Sequence, residues 1–394
     1  MAKIIGINAS FLRKPDSGMG QVSFNFLKKL FQMKKDGNIS KDLSFILYLE
    51  KDVGLELPDG FEKRIFLPKI YKRDDLVRKI IWEKWLLSKK IKEDGCAVFF
   101  SLYQSATILD IPHLLLVHDT IWKIFPEYLN NNRKKIYYHL VNQAIGKADK
   151  IITVSENSKK DIEKFFHISK EKIEVANIDC DDIFKEKIAD ENNLTSVSEN
   201  YIFYFGGFDV RKNVDNLLES YGILWKNWRG DRKNFPDLVL GGKFHPHLVP
   251  LITNIPQKKE EICQKYKLAS EKIKLLDFFI QQKDLPKFYR DARVFCFPSL
   301  YEGFGLPPLE AQNCGCPVTA MKNSSLSEVL SEGSAILVGE NSPQKIALAL
   351  ERVLLDEFLR SNLVEKGYQN AKRFDWENFV REALKEIEFL LNIK

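Results

Sequence analysis

Short apolar runs alternate with helix-like stretches along nearly all of this 394-residue chain, and that alternation restricts its fold more than any other feature. "KIIGINA" (3–9), "LSFILYL" (43–49), "AVFFSL" (97–102), "HLLLVHD" (113–119) and "KIITVS" (150–155) read as strands, and 74–92, 132–147 and 156–166 as helices. Strands that are apolar throughout belong to a parallel sheet covered on both faces. The polar stretch "KEKIADENNLTSVSEN" (185–200) has no apolar period and reads as a linker. The pattern then restarts with "YIFYFGG" (201–207), "DLVLGG" (237–242), "KIKLLDF" (272–278), "VFCFPS" (294–299), "PVTA" and "AILV". Helices are expected between these runs at 213–226, 256–268, 283–291, 308–314, 325–331 and 343–356. The expectation is an α/β chain with two doubly wound, Rossmann-like domains, 1–185 and 200–374, facing across a cleft, and a last helix, 375–394, returning to the first domain. In such sheets ligands bind outside the carboxyl ends of the strands.

Composition excludes several classes. A net charge of +6 on 60 basic and 54 acidic residues is too small for a dedicated nucleic-acid binder. The six cysteines, at 96, 180, 263, 296, 314 and 316, form no CxxC pair, and neither they nor His245-Pro246-His247 supply a metal-ligand set. The start "MAKIIGINAS" lacks a secretion pattern, and no apolar run approaches the ~20 residues of a membrane span. A cytoplasmic protein with reduced thiols is expected. The basic and aromatic stretch 69–92 reads as a core-facing helix or as a weak docking face for anionic lipid. On a helical wheel Leu76, Val77, Ile80, Ile81, Trp85, Leu87 and Ile91 share one side, with Trp82 and Leu86 off it.

The chemistry concentrates in "FPSLYEGFGLPPLE" (297–310). Its double proline predicts a helix from about Pro307, which puts Gly303 and Gly305 in a strand-to-helix loop where backbone can approach a ligand. The helix N-terminus suits an anion such as a diphosphate. Glu310 is expected in the first helical turn, within reach of sugar hydroxyls, and Glu302 at the other end of the loop. Alternatively, Glu310 complements the helix dipole and Glu302 is solvated. Arg211 and Lys212 follow the Gly206-Gly207 turn at a strand's carboxyl end, where fixed cations would stabilise a leaving diphosphate. In "DSGMGQVS" (16–23), Gly18 and Gly20 precede the first helix. This is not a dinucleotide fingerprint, since Ser23 holds the third glycine position and the loop after the strand is too long. It reads as a flexible glycine loop. His118 ends the strand "HLLLVHD" and either meets a ligand or bonds to nearby backbone.

These segments resemble glycosyltransferase family 4, retaining enzymes of the two-domain GT-B fold. "EGFGLPPLE" is similar to that family's E-x7-E loop, "YFGGFDVRKNVDNLLESY" (204–221) to its glycine-turn segment, and "SSLSEVLSEGSAILV" (324–338) and "AKRFDWENFVREALKEIEFLL" (371–391) also fit. The resemblance implies a hexose transferred with retention, without metal or other cofactor, from a nucleotide-diphosphate sugar, GDP- or UDP-linked, with mannose among the candidates. The acceptor would be a glycan or lipid-linked glycan in surface polysaccharide synthesis. It implies catalytic roles for His118, Arg211, Lys212 and Glu302, with Gly18, Gly20, Gly207, Phe278, Gly303, Phe304, Gly305, Leu306 and Glu310 contacting substrates. Asp277 stands where the family often has glycine, which leaves base selection open, and "IEVANIDCDDIF" replaces a common Pro-Asn-Gly turn. The competing readings are a nicotinamide-dependent oxidoreductase and a non-catalytic nucleotide-sugar-binding protein of the same fold.

Overall fold

The computed structural model describes residues 3–67, 76–186, 200–245, 248–276 and 280–392. The chain divides into two compact units, Met1–Ile178 with Phe374–Lys394, and Asp179–Arg373. The division falls before the "DCDD" segment, so residues 179–184 belong to unit 2, earlier than the boundary at 185 expected from hydropathy. Most of the expected linker, 187–199, lies outside the described residues.

Unit 1 is built on seven strands: β1 (Lys3–Asn8), β2 (Leu43–Leu49), β3 (Phe61–Ile65), β4 (Val98–Ser101), β5 (His113–Val117), β6 (Lys150–Thr153) and β7 (Ile173–Val175). All pair in parallel, in the order β3-β2-β1-β4-β5-β6-β7. The central strands are buried on both faces, as their unbroken apolar runs require. The edge strands β3 and β7 were not foreseen. β3 is "FEKRI", polar on its solvent side, and β7 is only three residues long, so neither forms an apolar run. The closing helix Trp376–Asn392 joins this unit. Its apolar stripe packs on helix Gly18–Lys35, with the Phe26 and Phe379 rings 5.8 Å apart.

Unit 2 repeats the plan with β8 (Tyr201–Phe205), β9 (Asp237–Gly241), β10 (Ile273–Leu276), β11 (Val294–Phe297), β12 (Val318–Met321) and β13 (Ile336–Val338), ordered β10-β9-β8-β11-β12-β13. The strand order reverses direction between β1 and β4 in unit 1 and between β8 and β11 in unit 2. These are the switch points where connecting loops diverge and leave a crevice.

Two local expectations are overturned. The first helix starts at Gly18, not after Gly20, so both glycines lie in its first turn rather than in a flexible loop. Ser17 caps this helix by accepting from the Gly20 N–H at 3.1 Å. A Cβ on Gly20 would lie 1.9 Å from the Lys14 carbonyl oxygen, so packing of the preceding loop requires glycine here. The helical wheel also fails within 74–92. Residues Trp82–Leu87 form a π-helical turn between helices Leu76–Ile81 and Ser88–Glu93. The wider turn rotates the face, which buries Trp82 and leaves Trp85 55% exposed. Residues 69–75 of that stretch lie outside the described set.

Candidate active site

The loops that leave β8 and β11 at the unit 2 switch point are stitched together by backbone. The Leu300 N–H donates to the Arg211 carbonyl at 2.7 Å. Asn213, left-handed at φ 61°, donates from its side chain to the Pro298 carbonyl at 3.0 Å and to Asn341 at 2.8 Å. Arg211 and Lys212 occupy a 3-10 turn (Val210–Lys212) that this stitching holds against the β11 loop.

Glu302 is the common partner of both cations. Its Oε1 lies 2.6 Å from Lys212 Nζ and 3.1 Å from Arg211 Nη1, and accepts from Ser299 Oγ. Arg211 also donates to the Tyr301 carbonyl at 2.8 Å, and its Nε is 3.0 Å from Asp209. Burial disfavours charge on Glu302, but Lys212 and Arg211 outweigh it and hold the carboxyl below its ordinary range. Burial pushes Lys212 below the usual lysine value, with the neighbouring Arg211 guanidinium adding to the fall and Glu302 and Asp209 opposing it. Glu302 is therefore not solvated. With Asp209 included, this cluster carries two positive and two negative charges, so it holds its cations in fixed positions without a net positive field.

The loop after β12 completes the shell. Ser324 accepts from the Glu302 N–H at 3.0 Å, and Ser325 donates to the carbonyls of Glu302 at 2.9 Å and Phe304 at 2.6 Å. These contacts fix the backbone of Gly303, Phe304 and Gly305 where it turns into helix Leu306–Asn313. Gly305 has φ 115°, and a Cβ there would meet Leu326 at 2.7 Å, so both conformation and space demand glycine. Pro307 and Pro308 carry no N–H, which leaves Leu306 as the only donor among the first three helical residues. The anion-binding capacity expected of this N-terminus is reduced accordingly.

Glu310 falls in the second turn of that helix, beyond the first turn expected for it. Tyr289, wholly buried on helix Leu285–Asp291, donates its hydroxyl to Glu310 Oε2 at 2.9 Å. Burial raises the Glu310 carboxyl to about 7, with Asp181 adding to the rise and Tyr289 opposing it. Gly207 lies in the loop after β8, where its carbonyl accepts from the Tyr204 hydroxyl at 2.5 Å. Phe278 and Asp277 lie outside the described residues, as do Pro246 and His247.

Unit 1 holds the remaining expected residues, Gly18, Gly20 and His118. His118 is buried, and its ring Nε2 is 3.1 Å from the Leu102 carbonyl, so that nitrogen carries the proton in the neutral ring. Burial lowers its pKa to about 4, so it is no imidazolium near neutrality. The residues that sequence reasoning missed are Asp209, Asn213, Tyr289, Ser299, Ser324 and Ser325. Asp209, Asn213, Ser324 and Ser325 lie in stretches already matched to the family, but their roles depend on loop convergence that no spacing reveals.

A family model described as glycosyl transferases group 1 matches residues 185–370, and one described as Glycosyltransferase Family 4 matches 57–177. The chain is a glycosyltransferase. It is 28% identical over 291 residues to O-antigen chain mannosyltransferase B of Escherichia coli, covering 71% of this chain and 72% of that one. It is 26% identical over 284 residues to the E. coli serotype-specific mannosyltransferase WbdA, covering 70% of this chain but only 33% of WbdA. Among solved structures, WaaG, a glycosyltransferase involved in lipopolysaccharide biosynthesis, is similar with TM-score 0.69 at 17% identity, covering 96% of this chain and 98% of WaaG. The glycosyltransferase therefore has the GT-B architecture of two parallel-sheet Rossmann-like units. Among the described residues, none of its helices is long and apolar enough to cross a membrane, and no three His, Cys, Asp or Glu side chains group closely enough to hold a metal ion.

Proposed function

We propose that this glycosyltransferase moves a hexose from a GDP- or UDP-sugar to a hydroxyl of a glycan or glycolipid, with retention of anomeric configuration and without a metal ion. The sugar is proposed to be mannose, and the setting surface polysaccharide synthesis, because the relatives at 28% and 26% identity carry mannosyltransferase names. The observation that carries the reading is the convergence of Arg211, Lys212 and Glu302 at the unit 2 switch point. Unit 2 (200–374 in the sequence reading) takes the donor, and unit 1 the acceptor. The acceptor oxygen bonds to the anomeric carbon on the face from which the diphosphate departs, and the hydroxyl proton passes to the departing phosphate oxygen. Arg211 and Lys212 stabilise the charge on that oxygen. Glu302 and the 303–306 backbone hold the sugar, and Glu310 accepts from the ribose. Gly207 and Phe278 adjoin the nucleotide. Gly18 and Gly20 shape the acceptor side, and neutral His118 contributes a wall rather than an acid.

A thermal-shift panel of UDP, GDP, dTDP, their sugars and NAD(H) tests the reading. A ligand at about a hundred times its dissociation constant stabilises the native state by ~2.7 kcal/mol. One nucleotide-diphosphate series is expected to shift the melt, with transfer persisting in EDTA and NAD(H) inert. A response to NAD(H) alone would overturn the transferase reading, and nucleotide-sugar binding without transfer or hydrolysis would favour a non-catalytic binder.

We also propose weak peripheral contact with anionic membrane through exposed Trp85, with Lys84 Nζ 5.8 Å from its ring centroid and Lys89 exposed beside it. Sedimentation with anionic vesicles should be weak, fade as salt rises and drop further in Trp85→Ser. Identical sedimentation of both proteins would remove Trp85 from any such contact.

A further inference from the structure

Unit 2 carries a groove of about 530 Å³ at the end of its sheet remote from Arg211 and Glu302. Three of the residues lining it, Asn200, Pro236 and Arg293, immediately precede β8, β9 and β11. These strands are neighbours in the sheet and run parallel, so the groove sits at their amino ends. The loops of the candidate active site leave the carboxyl ends of β8 and β11. The five residues of β8, at ~3.3 Å each, put roughly 16 Å of strand between the two places.

The groove is built around an indole held on three sides. Trp228 lies against Gly230, where a Cβ would come within 2.8 Å of the ring. Its Nε1–H donates to the Asp231 carbonyl at 3.1 Å, and the Phe235 ring meets it edge-on with centroids 5.1 Å apart. The ring is only half-buried, and with its one donor spent it offers the groove an apolar surface. Leu354 and Leu355 extend that surface.

Polar groups with capacity to spare stand around the indole. Asn200 Nδ2 donates to the Asn234 carbonyl at 2.8 Å, and Asn234 Nδ2 to Asp231 Oδ2 at 3.2 Å. Among the described residues neither amide oxygen accepts a bond in return, so each remains an acceptor. The Arg293 guanidinium makes no hydrogen bond among those residues. Its carboxylate neighbour, Glu357, is 4.0 Å away and pairs with Arg360. Arg293 therefore supplies donors, and its charge is balanced within the lining by Asp231.

We propose that this groove binds a neutral glycan, with one sugar face on Trp228 and hydroxyls on Arg293, Asn200 and Asn234. A pyranose joins an apolar C–H face to a rim of hydroxyls, and the lining sets an aromatic surface beside donors and acceptors in the same way. A nucleotide or other phosphate ligand calls for a net positive lining, and this one is neutral. The inference rests on the reading that the acceptor is a glycan, and deepens it. A chain held at the far end of the sheet keeps a growing polysaccharide on the enzyme between transfers.

The test titrates the full chain with α-mannotetraose and with maltotetraose, by calorimetry and by tryptophan fluorescence. At least one should bind and shift the emission. Trp228→Ala and Arg293→Met should each weaken that binding roughly tenfold or more, as expected for losing a covered aromatic or a charged hydrogen bond. Trp228→Phe should still bind by calorimetry but lose most of the emission change, a signature that a merely structural role would not give. GDP and UDP should leave the oligosaccharide affinity unchanged. Absence of binding by both oligosaccharides, their displacement by GDP, UDP or AMP, or a full emission change in Trp228→Phe overturns the proposal. Should Trp228→Ala fail to fold because it loses its packing on Phe235, Arg293→Met and Trp228→Phe still decide the matter. These titrations need no nucleotide. Failure of oligosaccharide binding with an intact nucleotide thermal shift therefore overturns the groove and leaves the transferase reading standing.

Discussion

Lys212→Met is expected to lower kcat about 10²–10³-fold, the usual effect of removing one fixed donor from a site of developing negative charge. The substitution has a second consequence that must be separated from the first. Lys212 is buried beside Glu302, and deleting one member of a buried pair destabilises by roughly 3–5 kcal/mol when the other is left uncompensated. Here Glu302 keeps Arg211 at 3.1 Å and Ser299, so the loss of stability should lie at or below the lower end of that range. The double variant Lys212→Met/Glu302→Gln removes one charge of each sign and should regain part of the lost stability. It should not regain turnover, because the missing cation is what the leaving diphosphate needs. Denaturant melts and steady-state kinetics on the two variants check this. If the double variant recovers turnover along with stability, Lys212 serves to neutralise Glu302 and takes no part in the reaction.

The same pair shows how far sequence reaches. Arg211-Lys212 and Glu302 were each legible as candidates from their position after apolar strands. That they meet follows from β8 and β11 being sheet neighbours, a consequence of doubly wound strand order that hydropathy alone does not convey. Their mutual neutralisation was not legible, because Asp209 looks like any loop aspartate until Arg211 Nε is found 3.0 Å away. The π turn at Trp82–Leu87 escaped for a different reason. A change from i→i+4 to i→i+5 bonding leaves composition unchanged and shifts only which residues face inward. Glycine was ambiguous in kind: Gly18 and Gly20 signalled a loop, yet Gly20 is required because the Lys14 carbonyl presses on a helix's first turn. Where strands were central and apolar, reading and structure agree. Where edges, hydrogen-bond register or charge pairing decide, the sequence pattern holds too little information.

Donor kcat/KM is expected to rise with pH through about 7 and to lose this rise in Glu310→Gln. Burial raises the Glu310 carboxyl from 4.5 to about 7, so in the free protein it is largely protonated below neutrality. A ribose hydroxyl donates better to the carboxylate than to the acid, so affinity should fall as pH falls through this value. Glu310→Ala, which removes the acceptor altogether, should raise the donor KM by about 10–100-fold, the equivalent of ~1.5–3 kcal/mol for a hydrogen bond to a charged group. Stability runs the opposite way. A carboxyl whose pKa is higher folded than unfolded stabilises the fold fully below its ordinary 4.5 and loses that contribution as pH rises through about 7. Glu310→Gln should therefore match the wild type near pH 4 and be the more stable protein above neutrality, by at most about 3 kcal/mol given ~1.4 kcal/mol per pKa unit. Tyr289→Phe should move the kinetic midpoint to higher pH, since it removes the hydroxyl that favours the charged form at 2.9 Å. A pH profile with no limb near 7 in the wild type, or the same limb retained in Glu310→Gln, would show that ribose recognition does not depend on this carboxylate.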